Sequence, residues 1–216
     1  MRQWLNKLEL RARSKFYIPS LMYYIVGGMA VVFLLDLIGF NASSLFYLHM
    51  GLVARGQVWR LITFIFLPPS TSLLWIIFSL YFYWMIGDAL ETQWGSFRFN
   101  LFYLIGIIGA ILGALITGSA SNMYLNLSLF LAFAAMFPNF QILIFFILPV
   151  KMKWLALADL VLYVYMFITG TWPTRVAILF SLLNVALFFG GDLLTTIRSE
   201  LGTMRRRQAF KRNYRR

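Results

Sequence analysis

Residues 97–117 of this chain read FRFNLFYLIGIIGAILGALIT, and no charged residue follows Arg98 within the stretch. As an α-helix, the stretch rises about 31 Å, which matches the roughly 30 Å hydrocarbon core of a bilayer. Over all 216 residues, 61% are hydrophobic and only 12% are charged. A soluble fold of this size could not cover so much apolar surface. The sequence therefore predicts an all-α polytopic membrane protein, which satisfies its backbone hydrogen bonds within helices.

Five further apolar stretches have about the length of a membrane span. The six predicted spans are 17–40, 70–87, 97–117, 123–137, 154–169 and 175–196. The fourth would rise only about 22 Å, so we expect one of its ends to stop inside the membrane. The third carries Gly106, Ala110, Ala114 and Gly118 at a spacing of four, which predicts close helix packing and a central position in the bundle.

The distribution of charge predicts the orientation. The net charge is +12, and the basic residues concentrate in an N-terminal segment, 1–16, and a C-terminal tail, 197–216. With six spans, sixteen of the nineteen Lys and Arg residues fall on the side of the two termini and three on the other side. Because cytoplasmic loops are enriched in Lys and Arg, both termini are predicted to be cytoplasmic. The longest outer loop, 41–69, is amphipathic and is expected to lie in the membrane interface.

The tail is predicted to bind anionic lipid, because cations near such a surface are attracted to it. Besides Arg198, the tail carries the basic residues that are predicted to face the lipid, which are Arg205, Arg206, Arg207, Lys211, Arg212, Arg215 and Arg216. Docking to an acidic partner or to ribosomal RNA is the alternative. Sequence-specific nucleic-acid binding is not predicted, because the basic residues flank apolar segments in the pattern of cytoplasmic loop ends.

The chain has no cysteine and one histidine, His49. Disulfides, thiol catalysis and zinc sites built from Cys or several His ligands are therefore excluded. No metal or cofactor is predicted. Serine–histidine catalysis would have to use His49, which falls in the outer loop, where a histidine in contact with headgroups and water is expected.

Several motifs, which follow one another along the chain in the family order, resemble those of rhomboid intramembrane proteases and derlins. The segment 56–63 is similar to their Trp-Arg element, 90–99 to their Glu–Gly-Ser element, and 137–139 with 149–156 to the end of their fourth span and inner loop. The residues that carry the resemblance are Trp59, Arg60, Glu91, Gly95, Ser96, Pro138 and Gly191. The resemblance implies a six-transmembrane-helix rhomboid-like bundle over 17–196. The short loops and the inner-loop motif favour a bacterial plasma membrane.

The resemblance also implies a Ser–His dyad, with the serine in a Gly-x-Ser-Gly element that begins the fourth helix and the histidine on the sixth. The family spacing places these two positions at Met123 and Asn184, and a register shift would bring in Ser121 or Ser128. No glycine occurs between Gly118 and Gly170, so the glycine element is absent. An asparagine amide cannot accept a proton from a hydroxyl.

The oxyanion-side positions that the resemblance implies in the second span fall near Trp75 and Ser79. A bulky indole at the first of these positions would fill the space of a substrate carbonyl.

The sequence therefore favours a rhomboid-like pseudoprotease that binds transmembrane segments of client membrane proteins without cleaving them, in quality control or trafficking. An intramembrane serine-type endopeptidase with atypical residues is the alternative by family membership. A Ser–Lys pair would need Lys151 or Lys153, and an aspartyl mechanism would need two of Asp36, Asp159 and Asp192. A small transporter is a further alternative, because Asp159 falls inside the fifth span.

Overall fold

The computed structural model describes residues 17–144 and 148–188, which are mainly helical. The helices are α1 (Leu21–Leu37), α2 (Ala42–Phe46), α3 (Met50–Val53), α4 (Arg60–Thr63), α5 (Leu73–Trp94), α6 (Ser96–Thr117), α7 (Met123–Met136), α8 (Met152–Thr169) and α9 (Trp172–Phe188). Two short antiparallel sheets connect them. Strand β1 (Leu48–His49) pairs with β2 (Ser119–Ala120), and β3 (Gln141–Ile144) pairs with β4 (Leu148–Lys151).

The longer helices form an apolar bundle. Of the described helices, α5, α6 and α8 are long and apolar enough to cross a membrane, while α1, α7 and α9 are apolar and shorter. Large hydrophobic side chains are exposed around the outside of the bundle, including Leu34, Leu74, Leu115, Val161 and Leu179. Such a surface suits lipid and would be unstable in water. The chain is an integral, multi-pass membrane protein by these features.

The ends of several helices differ from the predicted spans. Helix α1 begins at Leu21, after Pro19 and a left-handed Ser20, and not at residue 17. Helix α5 continues seven residues past Gly87, because the polar segment 88–94 keeps its helical hydrogen bonds beyond the apolar run. Helix α9 begins at Trp172 rather than at 175, since Pro173 is well suited to the first turn of a helix.

Helix α7 occupies the centre of the described bundle. Most of its side chains are buried, and α5, α6 and α8 all pack against it. The third span, α6, which was expected to be central, packs against α5, α7 and α9 but buries a smaller share of its side chains than α7 does. Helix α7 is apolar all round, and a helix of that kind is stable only when it is surrounded by protein or lipid.

Helix α6 makes close contacts with α7 and α9 at its small residues, as the spacing of these residues predicted. A Cβ atom at Gly106 would clash with Leu125 of α7 and would lie 2.9 Å from the Asn184 Nδ2 of α9. Gly109 and Gly113 face Phe180 of α9. The small residues thus allow α7 and α9 to approach α6.

The long segment between α1 and α5, residues 38–72, defines one end of the bundle, which we call the loop end. It is joined to the loop between α6 and α7 by the pairing of β1 with β2. The opposite end carries the β3–β4 hairpin, which the sequence did not predict. The basic termini, Gly191, Asp192 and the end of the sixth predicted span lie outside the described residues.

Candidate functional site

A small cavity lies between α6, α7 and α9. Its volume is about 30 Å³, and its lining includes Gly106, Ser121, Ser128, Ser181 and Asn184. About 10–15 Å³ of such volume holds one water molecule. The cavity is therefore the size of two or three water molecules and cannot hold a peptide.

Ser128 and Asn184 join α7 to α9 at this cavity. Asn184 Nδ2 donates to Ser128 Oγ at 3.2 Å and to the Phe102 carbonyl at 3.4 Å, and Ser128 Oγ donates to the Leu125 carbonyl at 2.7 Å. Ser128 is fully buried, and Asn184 is 3% exposed. Asn184 Oδ1 and Ser181 Oγ are buried without a hydrogen-bond partner among the described residues. These two atoms of the cavity wall can therefore still form hydrogen bonds.

This contact also shows how deep α7 starts. Ser128 is five residues along α7, and Asn184 is twelve residues along α9, with both helices beginning at the loop end. At about 1.5 Å per residue, the two side chains meet about 7.5 Å along α7 and about 18 Å along α9. Helix α7 therefore begins about 10 Å below the start of α9. The expected recessed end of the short fourth helix lies at the loop end.

The loop end is closed over the start of α7 by Asn122. Its Nδ2 donates to the carbonyls of Ile65 and Leu67, at 3.1 and 2.8 Å, and its side chain is buried. These bonds connect the turn at 64–67 to the recessed helix. Asn122 thus satisfies backbone carbonyls that would otherwise lie at membrane depth without partners.

A larger groove lies on the other side of α7, between α5 and α8. Its volume is about 480 Å³. Helix α5 contributes Ser79 and Tyr83, α7 contributes Met123 and Asn126, and α8 contributes Asp159. Both amide atoms of Asn126 are buried and have no hydrogen-bond partner in the described part of the chain. The groove is thus mainly apolar with a polar centre.

A family model described as the Rhomboid domain matches residues 55–188, more than half of the chain. The chain belongs to the rhomboid family. No curated protein matches it. The polytopic membrane architecture and the family match agree with the resemblance carried by the sequence motifs.

The two dyad positions that the family spacing gave are not brought together in this rhomboid. Met123 is the first residue of α7, is 51% exposed and lines the groove. Asn184 lines the small cavity and contacts Ser128. Ser121 Oγ accepts a bond from the Met123 backbone N–H at 3.4 Å. Of the two serines considered, Ser121 and Ser128, only Ser128 is hydrogen-bonded to Asn184.

His49, the only histidine in the sequence, is exposed in the loop and precedes α3. Its Nδ1 accepts a hydrogen bond from the Gly51 N–H at 3.2 Å. No hydrogen bond joins His49 to a serine side chain among the hydrogen bonds of the described residues.

Arg60 holds the long loop of the rhomboid domain together. It is 4% exposed, and its guanidinium donates to the carbonyls of Ser44 and Tyr47 and to Gln57 Oε1, at 2.7–2.8 Å. The neighbouring Trp59 is about half exposed at the start of α4. The Trp-Arg element thus has a structural role in the loop.

The end of the bundle opposite the loop end is held together by Glu91, Gly95 and Ser96. Glu91 Oε1 accepts from Ser96 Oγ at 2.6 Å and from the Ser20 N–H at 2.8 Å, which links α1, α5 and α6. Gly95 has φ +83°, a value that L residues with a side chain rarely adopt, and it turns the chain from α5 into α6. The Pro138 carbonyl accepts from the Lys153 N–H at 3.1 Å, beside the hairpin.

The remaining candidates for catalysis are dispersed. Asp36 accepts hydrogen bonds from Ser43 at the loop end, while Asp159 lines the groove. Lys153 lies over the Trp154 ring at the opposite end. Trp75 is 52% exposed and is not among the residues that line the groove, whereas Ser79 is, so the expectation that the Trp75 indole fills a substrate position stays a prediction.

Asn122 and Asn126 were not identified as site residues from the sequence. A pattern that points to them was present, because the two asparagines are four residues apart at the start of a short apolar helix and fall on one face. Tyr83 and Tyr163, which also line the groove, gave no such signal, because aromatic residues occur throughout the chain.

Proposed function

We propose that this rhomboid is a pseudoprotease that holds transmembrane segments of client membrane proteins in the groove between α5 and α8 and does not cleave them. The observation that carries the proposal is the pairing of Ser128 with Asn184. An amide takes the position where the family resemblance implies a base, and it donates to the serine rather than accepting from it. A hydroxyl in that arrangement cannot be deprotonated by its partner.

The volumes support the same proposal. Ser128 borders a cavity of about 30 Å³, whereas the groove on the other side of α7 measures about 480 Å³. A substrate could enter the groove from lipid but could not reach Ser128 without separating α7 from α9. The groove retains space for binding, and the serine has neither an activating base nor access.

The test is cleavage and crosslinking of single-span substrates in proteoliposomes, with an active bacterial rhomboid as the positive control. A photocrosslinking residue at Met123 reports occupancy of the groove, and one at Leu179, exposed on α9, is the control for random collisions. We expect no cleavage products and stronger crosslinking at Met123 than at Leu179. Cleavage that is lost in Ser128→Ala or Ser121→Ala would contradict the proposal and favour an atypical serine endopeptidase.

We further infer six membrane spans with both termini in the cytoplasm, from the excess of Lys and Arg on that side. Because the chain has no cysteine, single cysteines introduced in 1–16, in the loop near Arg55 and in 197–216 can be labelled without background. An impermeant maleimide should label only the loop position in intact bacterial cells. Labelling of either terminus would exclude the six-span topology.

The basic tail is proposed to bind anionic lipid. Full-length protein and a chain truncated at residue 196 would be compared for recruitment of anionic vesicles and of ribosomes at increasing salt. Salt-sensitive vesicle recruitment that depends on the tail supports lipid binding. Recruitment of ribosomes alone would instead favour the RNA alternative.

A further inference from the structure

One polar side chain of the groove, Asn126, has hydrogen-bonding capacity that the packing of the bundle does not use. Asn126 is 3% exposed, and both its amide atoms are without partners among the described residues. Burying an amide without hydrogen bonds is unfavourable. Asn126 therefore makes the free energy of folding less favourable than an apolar residue of similar size would. A ligand bound in the groove that Asn126 lines would supply the missing hydrogen bonds.

The second polar group is a carboxyl near the middle of α8. Asp159 lies seven residues after Met152 and ten before Thr169 in α8. It is therefore about 10 Å from one end of the helix and about 15 Å from the other. It is partly exposed and lines the same groove as Asn126. Carboxyl groups at such depth are expected to pair with a partner or to serve a function.

The described residues that line the groove include no Lys, Arg or His, so Asp159 is the only one with a formal charge. Tyr83 and Tyr163 border the same space. Carboxylate, amide and phenol oxygens are all acceptors, which suit the multiple N–H donors of an ammonium or guanidinium group.

We propose that the groove selects client transmembrane segments that carry a Lys or Arg near the middle of the membrane, with Asp159 and Asn126 as the groups that receive the cation. This inference rests on the proposed function and names its substrate class. A cationic side chain is unfavourable in lipid when it has no partner, so a segment of this kind gains most from the groove. The apolar walls would contact the remainder of the segment.

The test uses the full-length protein in proteoliposomes with the photocrosslinking residue at Met123. The probes are single-span Leu/Ala peptides of about 22 residues that differ only in a central guest, which is Lys, Arg, Leu or Glu. A charge-assisted hydrogen bond corresponds to roughly tenfold or more in binding, so Lys and Arg peptides should crosslink about tenfold more than the Leu peptide. The Glu peptide should crosslink least.

Asp159→Asn should abolish the preference for Lys and Arg, while crosslinking of the Leu peptide stays unchanged. Asp88→Asn is the matched control, because Asp88 is exposed on α5 and does not line the groove. If Asp159→Asn does not fold, Asn126→Leu replaces it, since an apolar residue at this position removes an unpaired amide. That variant should lower the preference about threefold.

The outcomes separate the two proposals. Equal crosslinking of all guests at Met123, a preference that survives Asp159→Asn, or a preference that Asn126→Leu leaves unchanged would overturn the cation site and leave client binding intact. No guest crosslinking above the Leu179 control would overturn client binding and the cation site together. Ala158→Trp, which places an indole in the groove, should reduce crosslinking of every guest if the groove is the binding site.

Discussion

Asn184 donates a hydrogen bond from its Nδ2 to the Oγ of Ser128, at 3.2 Å, across the interface between α7 and α9. The serine in turn donates to the Leu125 carbonyl. The direction of these bonds matters more than the distance. The proton of the serine is directed into its own helix and away from Asn184, so the pair joins two helices in a place where the family resemblance implies a reactive hydroxyl.

We expect Ser128→Ala to lower the free energy of unfolding by about 1–3 kcal/mol, because it leaves the buried Asn184 amide without its nearer acceptor. The measurement is reversible unfolding in mixed detergent and SDS micelles. Ser121→Ala is the control, since Ser121 is only partly buried, and it should have a smaller effect. The double variant Ser128→Ala/Asn184→Leu should be more stable than Ser128→Ala alone, and additive losses would argue against a shared hydrogen bond.

Restoring the two dyad residues at the positions given by family spacing should not produce a protease. In Met123→Ser/Asn184→His the serine would face the groove and the histidine would line the cavity on the other side of α7. The readouts are labelling by a fluorophosphonate and cleavage of a single-span substrate, both at background level. Labelling that requires both substitutions would show that α7 can change its register and bring the two positions together.

Gly106→Ala should destabilise the bundle by about 1–3 kcal/mol, because overpacking forces the neighbouring helices to shift. The added methyl group would clash with Leu125 and lie 2.9 Å from Asn184 Nδ2. Gly109→Ala is the matched control on the same helix, since its nearest contact is Phe180 at 3.6 Å. The midpoint of thermal unfolding in detergent should fall in the first variant and change little in the second.

Arg60→Ala should release the long loop. The substitution leaves the Ser44 and Tyr47 carbonyls without their donor, and the expected loss of local stability is about 3 kcal/mol. Limited proteolysis should then cut within residues 38–72 many times faster than in the parent protein. Arg55→Ala removes an exposed arginine from the same loop and should leave the rate unchanged. Equal rates for both variants would exclude Arg60 as the anchor.

The sequence predicted the positions of the apolar helices well, because uninterrupted apolar runs leave few alternatives to a helix in lipid. It predicted their ends less well. Pro19 and Pro173 set helix starts that an apolar run does not reveal, and the segment 88–94 stays helical although it is polar. The β3–β4 hairpin was missed because its strands are apolar, as the neighbouring helices are.

The site was only partly predictable for a different reason. The expectation that the dyad lacks its base comes from the sequence alone, since the single histidine falls in the outer loop. Which serine meets Asn184 depends on how far α7 is recessed, and that is a property of packing. The polar centre of the groove brings together Tyr83, Asn126 and Asp159 from three helices, and no local pattern in the sequence connects them.

The sparse packing of α8 has a mechanical consequence. Among the described residues, α8 buries only the side chains of Met152 and Tyr163, whereas α7 is buried along most of its length. Displacing α8 sideways would therefore disrupt few contacts, and the regions of a protein that open most readily are those with few buried contacts. We therefore expect α8 to move away from α7 more readily than the better-buried helices move apart. We also expect the lateral pressure of the surrounding lipid to contribute to the width of the groove.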